Sequence, residues 1–195
     1  VRGALGETHI LPALAACAVA DVLGVDVATA AQRLAAYVPP PGRMRVLAGK
    51  GGATLIDDSY NSSPAALRAA LITLRTVEAK RRIALLGDMR ELGKESARAH
   101  KELGAFAATV VDMLSTVGEE SEVLAHAARE QGMEKEMVRE YGYGESEKAA
   151  EALLPHLAPG DVVLVKGSQN MIRMEKAVKV LMAHPEQAGD LLVRQ

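Results

Sequence analysis

Apolar positions change their spacing along the chain in a regular way. From Thr8 to Tyr37 they recur at helical intervals, and Pro39-Pro40-Pro41-Gly42 then breaks the pattern sharply. One helix is expected over Thr8–Leu23, capped by Thr8 and ended by Gly24, and a second over about Ala28–Ala36. Beyond Gly42 short β-rich runs alternate with amphipathic stretches. Met44–Ala48 and Ala53–Asp57 read as strands joined through Gly49-Lys50-Gly51-Gly52, a hairpin signal. Further strands are expected at Arg82–Leu86, within Val110–Val117, at Met137–Glu140 and at Asp161–Val165. Between them helices are expected after Ser63-Pro64, at Ser96–Ala108, Glu120–Gln131 and Ser146–Leu154, and finally at Asn170–Met182. Strands alternating with helices predict an α/β fold, a mainly parallel sheet with helices on both faces, an antiparallel edge hairpin, and a short helical segment in front.

Composition narrows the class without naming a function. Of 195 residues, 49% are apolar and 25% charged, enough for a sizeable core, and the aromatics are so few that Ala, Leu, Val, Ile and Met must build it. A net charge of −2 gives no electrostatic case for nucleic acid or an anionic membrane. No apolar run approaches the roughly 20 residues that span a bilayer. The one cysteine, Cys17, sits in an Ala-rich run, reads as a packed small hydrophobe, and suits a reducing, cytoplasmic setting. The start, Val1-Arg2-Gly3-Ala4-Leu5-Gly6, reads as an entry from something upstream.

In open parallel sheets, ligands bind beyond the carboxyl ends of the strands. That rule selects three loops. In Asp57-Asp58-Ser59-Tyr60-Asn61-Ser62-Ser63-Pro64 an apolar strand runs into two carboxylates and then into a helix start; such a pair can hold ribose hydroxyls or a magnesium ion, or can simply cap a polar turn. Gly87-Asp88-Met89-Arg90-Glu91-Leu92-Gly93 follows the next strand, with His100 on the helix behind it. Lys166-Gly167-Ser168 sets a cation, a glycine and a hydroxyl before a helix, a plausible oxyanion cradle. The histidines show no metal-ligand spacing, so no metal site is assigned. Ala48-Gly49-Lys50-Gly51-Gly52 imitates a nucleotide loop but fails the Walker A pattern at Met44 and at Gly51.

Taken together, these loops resemble the Mur ligases, a family of ATP-dependent amino-acid ligases of cell-wall precursor synthesis. The segment Asp57 to Pro64 is similar to the motif D-D-S/T-Y-N-A-N-P of the branch that adds D-alanyl-D-alanine. Gly87 to Gly93 with His100 looks like G-D-M-x-E-L-G followed by H. Lys166-Gly167-Ser168 with Arg173-Met174-Glu175 looks like K-G-S-R-x-M-R-M-E, and Pro41-Gly42-Arg43 resembles the P-G-R that opens the family's C-terminal domain. The resemblance implies that residues 1–40 are the last helices of a central ATPase domain and residues 41–195 the C-terminal Rossmann-like domain. It further implies ATP and Mg2+ as cofactors, held mainly by the central domain, and UDP-MurNAc-tripeptide and D-alanyl-D-alanine as substrates joined through an acyl phosphate.

By the same resemblance Arg43 approaches the ATP phosphates, Asp58 the ribose and Asn61 the nucleotide edge, while Asp88, Lys166 and Ser168 face the dipeptide; no catalytic residue is expected within this chain. Two departures stand out. Pro12 occupies the place of the second Asn of the family's H-N-x-x-N, and Gln169 replaces the usual Arg after Ser168, with one residue inserted. Two other readings remain: a Mur-type ligase for another amino acid or dipeptide, and a non-catalytic Rossmann-like binding domain.

Overall fold

The computed structural model describes residues 5–168 and 171–193. Its first elements are the helices α1 (Ile10–Val22) and α2 (Val27–Arg33). The chain enters α1 through a 3-10 turn, Glu7–His9, so Thr8 lies inside that turn and no side chain caps α1. The expected Thr8 cap is thereby corrected: the tighter turn feeds straight into the helix and leaves no separate cap position at Thr8. Asp26 caps α2 instead, its Oδ1 accepting the Thr29 N–H at 2.9 Å and its Oδ2 the Thr29 hydroxyl at 2.6 Å. Cys17 is only half-buried, and neither helix contains a buried residue.

From residue 45 the chain builds one six-stranded sheet. The strands are β1 (Arg45–Ala48), β2 (Thr54–Asp58), β3 (Arg81–Gly87), β4 (Met113–Val117), β5 (Val138–Tyr141) and β6 (Asp161–Lys166). Their order is β1-β2-β6-β3-β4-β5. β1 pairs antiparallel with β2, and every other neighbouring pair is parallel. The helices α3 (Pro64–Thr76), α4 (Ser96–Ala108), α5 (Ser121–Glu130), α6 (Ser146–Leu153), α7 (Met174–Leu181) and α8 (Ala188–Leu191) cover the two faces. The α/β class, the mostly parallel sheet and the antiparallel edge hairpin thus follow the sequence pattern. The last long helix begins at Met174; the expected start at Asn170 lies outside the described residues.

Side-chain alternation explains the two layers. In β3, Ala84 and Leu86 join the core under α3, α4 and α5, while Ile83 and Leu85 join the core under α6 and α7. In β6, Val162 and Leu164 go one way and Val163 and Val165 the other. A strand buried on both faces needs a continuous apolar run, which is what these sequences supply. The first core has few large residues beyond Leu, so close backbone approach carries the packing: a Cβ at Gly104 of α4 would lie 2.1 Å from the Leu124 carbonyl of α5. At the amino ends of the strands, Arg81 grips its register partner Asp161 with two bonds of 3.0 and 2.6 Å. Burial works to raise the Asp161 carboxyl, and Arg81 with the Ala158 N–H outweighs it and holds the group below its ordinary value.

Candidate functional site

β2 ends in two carboxylates that hold one turn between them. Asp57 is fully buried; its Oδ2 accepts the Gly42 N–H at 3.0 Å and its Oδ1 accepts the Ser59 N–H at 3.1 Å and the Ser59 hydroxyl at 2.6 Å. Asp58 accepts the Met44 N–H at 3.2 Å on Oδ1 and the Lys166 ammonium at 2.6 Å on Oδ2. The turn has left-handed backbone at Gly42 (φ 68) and Met44 (φ 53), and a Cβ at 42 would lie 2.8 Å from the Tyr60 nitrogen. Only glycine fits there. Arg43, between the two anchored residues, is exposed and lays its guanidinium over the Tyr60 ring at 4.0 Å. Burial raises Asp57 above the usual carboxylate range against the pull of its donors, and it raises Asp58 against the pull of Lys166. With their oxygens engaged by backbone and ammonium donors, these carboxylates do not fit a magnesium site. Among the described residues no group of three or more His, Cys, Asp or Glu side chains could hold a metal.

A cleft of about 300 Å³ opens on Arg43 and Asp58, lined also by His9, Tyr37, Thr73 and Lys166. His9 and Tyr37 come from the amino-terminal segment, their rings 5.9 Å apart. His9 Nε2 is buried with no hydrogen-bond partner among the described residues, and the lining of the cleft joins the His9 and Tyr37 rings to the Arg43 and Lys166 cations. That set fits a nucleoside carrying phosphates.

The three strand-end loops converge, because β2, β6 and β3 are neighbours with parallel direction. Lys166 is 2% exposed and donates to Asp58 and to the Asn61 carbonyl at 2.8 Å. Ser168 N–H donates to the Asp88 carbonyl at 3.1 Å, and Ser168 Oγ accepts the Arg90 N–H at 3.0 Å. Close contact between the β3 and β6 ends requires Gly87, where a Cβ would sit 2.3 Å from Ile172 Cγ2. Asp88 lies beneath this surface, fully buried, with Oδ1 accepting the Ser121 N–H at 2.7 Å. His100 is fully buried too: Nε2 accepts the Met89 N–H at 3.1 Å, which leaves the proton on Nδ1 to donate to the Ser96 carbonyl at 2.9 Å. A single neutral tautomer therefore pins the β3 loop to α4.

A second cleft, of about 680 Å³, is lined by Asn61, Ser62, Ser63, Ser168, Arg90 and Glu91, with Met171 at its edge. The arrangement exchanges two residues relative to the grouping expected from sequence. Asn61 lines this second cleft, and Lys166 lines the first. Arg43 and Asp58 line the first cleft together, Ser168 lines the second, and the buried Asp88 lines neither. Beyond the reading of a capped polar turn, sequence reasoning did not single out Asp57 as its anchor, Tyr60 as the platform for Arg43, or Arg90 as a lining cation. The first two carried a legible signal, since a carboxylate and an aromatic ring flank Asp58 in the same loop.

The fold and these loops define a member of a known class. A family profile described as "Mur ligase, glutamate ligase domain" matches residues 42–169, and the chain belongs to the Mur ligase family. Among curated relatives, the UDP-N-acetylmuramoyl-tripeptide--D-alanyl-D-alanine ligase of Bacillus subtilis is 30% identical over 183 residues, 93% of this chain and 39% of that protein. The ligase of the same name from Mycobacterium tuberculosis is 36% identical over 185 residues, 85% of this chain and 36% of its own length. The crystal structure of MurF ligase from Thermotoga maritima in complex with ADP superposes with a TM-score of 0.73 at 27% identity, covering 96% of this chain and 40% of that one. The chain therefore spans less than two-fifths of the length of these curated relatives.

Proposed function

We propose that this chain is the C-terminal part of an ATP-dependent ligase that adds D-alanyl-D-alanine to UDP-MurNAc-tripeptide in the cytoplasm, with residues 1–40 belonging to the central ATPase domain and residues 41–195 forming the domain that closes over the nucleotide. The observation that carries this reading is the pair of clefts fed by one network. Asp58 and Lys166 lie in the wall of the first, and the Lys166 ammonium also holds the loop that walls the second. The exposed apolar surface of α1 and α2 supports the domain assignment, with Leu11 75%, Leu14 60% and Val22 85% exposed, a face suited to packing on further protein. No helix among the described residues is long and apolar enough to cross a membrane.

In this reading ATP supplies the phosphoryl group that activates the acceptor carboxylate. The chain's own residues bind and orient. Arg43 offers its planar fork to phosphate oxygens, held in place by Tyr60 and the doubly anchored turn. Asp58 and Lys166 set the floor under the nucleoside, and Ser168 with Asn61 shapes the amino-acid side. The substrate assignment rests on the motif Asp57 to Pro64 and on relatives that bear the dipeptide ligase's name.

The test is an ADP titration of the chain followed by backbone amide resonances. Saturable shifts are expected at Arg43, Asp58, His9 and Tyr37, with no ATP turnover, because the 195 residues contain no Walker A segment to stabilise the transferring phosphoryl group. Arg43→Ala should weaken ADP roughly 10- to 100-fold, the worth of a charge-assisted bond pair, and Arg43→Lys should recover only part of it. Shifts confined to other surfaces would remove the first cleft from the nucleotide site.

A further inference from the structure

We infer that Arg90, rather than Lys166, reads the terminal carboxylate of the incoming dipeptide, with Glu91 beside it matching the ammonium; this deepens the reading above and rests on it. Lys166 is spent. It is almost wholly buried, and two of its three donors already serve Asp58 and the Asn61 carbonyl. Arg90 is the cation that lines the second cleft among the described residues, and Glu91 is the anion. The remaining lining is Asn61, Ser62, Ser63, Ser168 and Met171; Ser63 Oγ also caps α3, and Ser168 Oγ also accepts the Arg90 N–H and donates to the Ser62 carbonyl. A small zwitterion rich in hydrogen-bonding groups suits such a lining, and the volume falls in the ordinary range for small-molecule sites.

Arg90 is anchored through its backbone, and its exposed side chain reaches two neighbours. Its backbone N–H donates to Ser168 Oγ, and its Nη1 reaches Tyr143 Oη at 3.4 Å and Met171 Sδ at 3.8 Å. Tyr143 in turn neighbours Asp88; burial first and then Asp88 push its phenol above the ordinary value, so the hydroxyl stays protonated. With Nη1 tethered, the Nε and Nη2 edge of the guanidinium has no hydrogen-bond partner among the described residues. That edge presents two parallel N–H groups in the geometry a carboxylate takes bidentately. Glu91 sits at a left-handed φ of 66, uncommon for a residue with a Cβ, and lines the same cleft as Arg90.

The experiment titrates the 195-residue chain with D-alanyl-D-alanine, with the same dipeptide as its C-terminal amide, and with inorganic phosphate, following arginine Nε–H and backbone resonances. The acid is expected to shift the Arg90 Nε–H together with the Ser63 and Ser168 amides, and to bind roughly 10- to 100-fold more tightly than the amide. Arg90→Gln should bring the acid down to the affinity of the amide while leaving the ADP response at Arg43 unchanged. Equal binding of acid and amide, or an acid-to-amide ratio untouched by Arg90→Gln, would overturn the role of Arg90 and leave the dipeptide reading standing. Phosphate that shifts Arg90 at lower concentration than the dipeptide would overturn the carboxylate in favour of a phosphoryl group. Absence of any saturable response to either dipeptide would overturn this inference together with the dipeptide reading beneath it.

Discussion

Asp57→Ala is expected to abolish most ADP affinity although Asp57 is absent from the lining of the cleft proposed to hold the nucleotide. The substitution orphans the buried Gly42 and Ser59 N–H groups and the Ser59 hydroxyl. Buried donors without acceptors cost about 1–3 kcal/mol each, so a loss of about 2–4 kcal/mol in folding stability follows after partial relaxation. The Gly42 turn then loses one of its two anchors, and Arg43 loses the fixed backbone that sets it over Tyr60. Asp57→Asn keeps one acceptor oxygen and should recover part of both losses. The checks are the denaturant midpoint and the ADP dissociation constant measured on the same preparation. Wild-type values for both in Asp57→Ala would mean that the turn stands without its clamp.

The second large effect is Lys166→Met, expected to cost about 3–5 kcal/mol at neutral pH, because removing one partner strands a buried charge on the other. The pH dependence identifies the cause. Burial already holds Asp58 above the unfolded carboxyl value of about 3.9, and loss of the ammonium raises it further. A raised folded pKa means stability that is fully present below the unfolded pKa and lost as pH rises through the folded one. The deficit of Lys166→Met against wild type should therefore be widest near pH 8 and shrink as pH falls toward 5, where Asp58 of the variant takes up a proton. Denaturant unfolding across that range measures it. A deficit constant with pH would point to lost packing of the lysine stem instead of a stranded carboxylate.

Much of this architecture was legible in residue order. Continuous apolar runs at 83–86 and 162–165 announce strands buried on both faces, and Ser63-Pro64 announces the start of α3, where Ser63 does accept the Ala66 N–H. Parallel direction then implied that the loops after β2, β3 and β6 share an edge, and these strands are neighbours. What escaped were properties set by partners distant in sequence. The Lys166 motif reads as an open cradle until β6 pairs with β2 and puts Lys166 in register with Asp58. Arg90 looks like a filler between Met89 and Glu91 until Ser168 and Tyr143, 78 and 53 residues away, fix it over the second cleft. Thr8 looked like a helix cap because local composition cannot distinguish a capped start from entry through a 3-10 turn. The buried state of Asp88 and His100 is likewise a result of packing, Asp88 against the start of α5 and His100, from α4, against the loop that follows β3.

The ligase assignment is tested most directly by a chimera in which this chain replaces the matching C-terminal part of the Bacillus subtilis ligase, assayed for phosphate release with ATP and UDP-MurNAc-tripeptide. The chimera should turn over with D-alanyl-D-alanine and remain at background with single amino acids, and Arg43→Ala in the transplanted chain should silence it. A folded chimera that binds ADP yet responds to a single amino acid, or to no acceptor amine at all, would contradict the assignment.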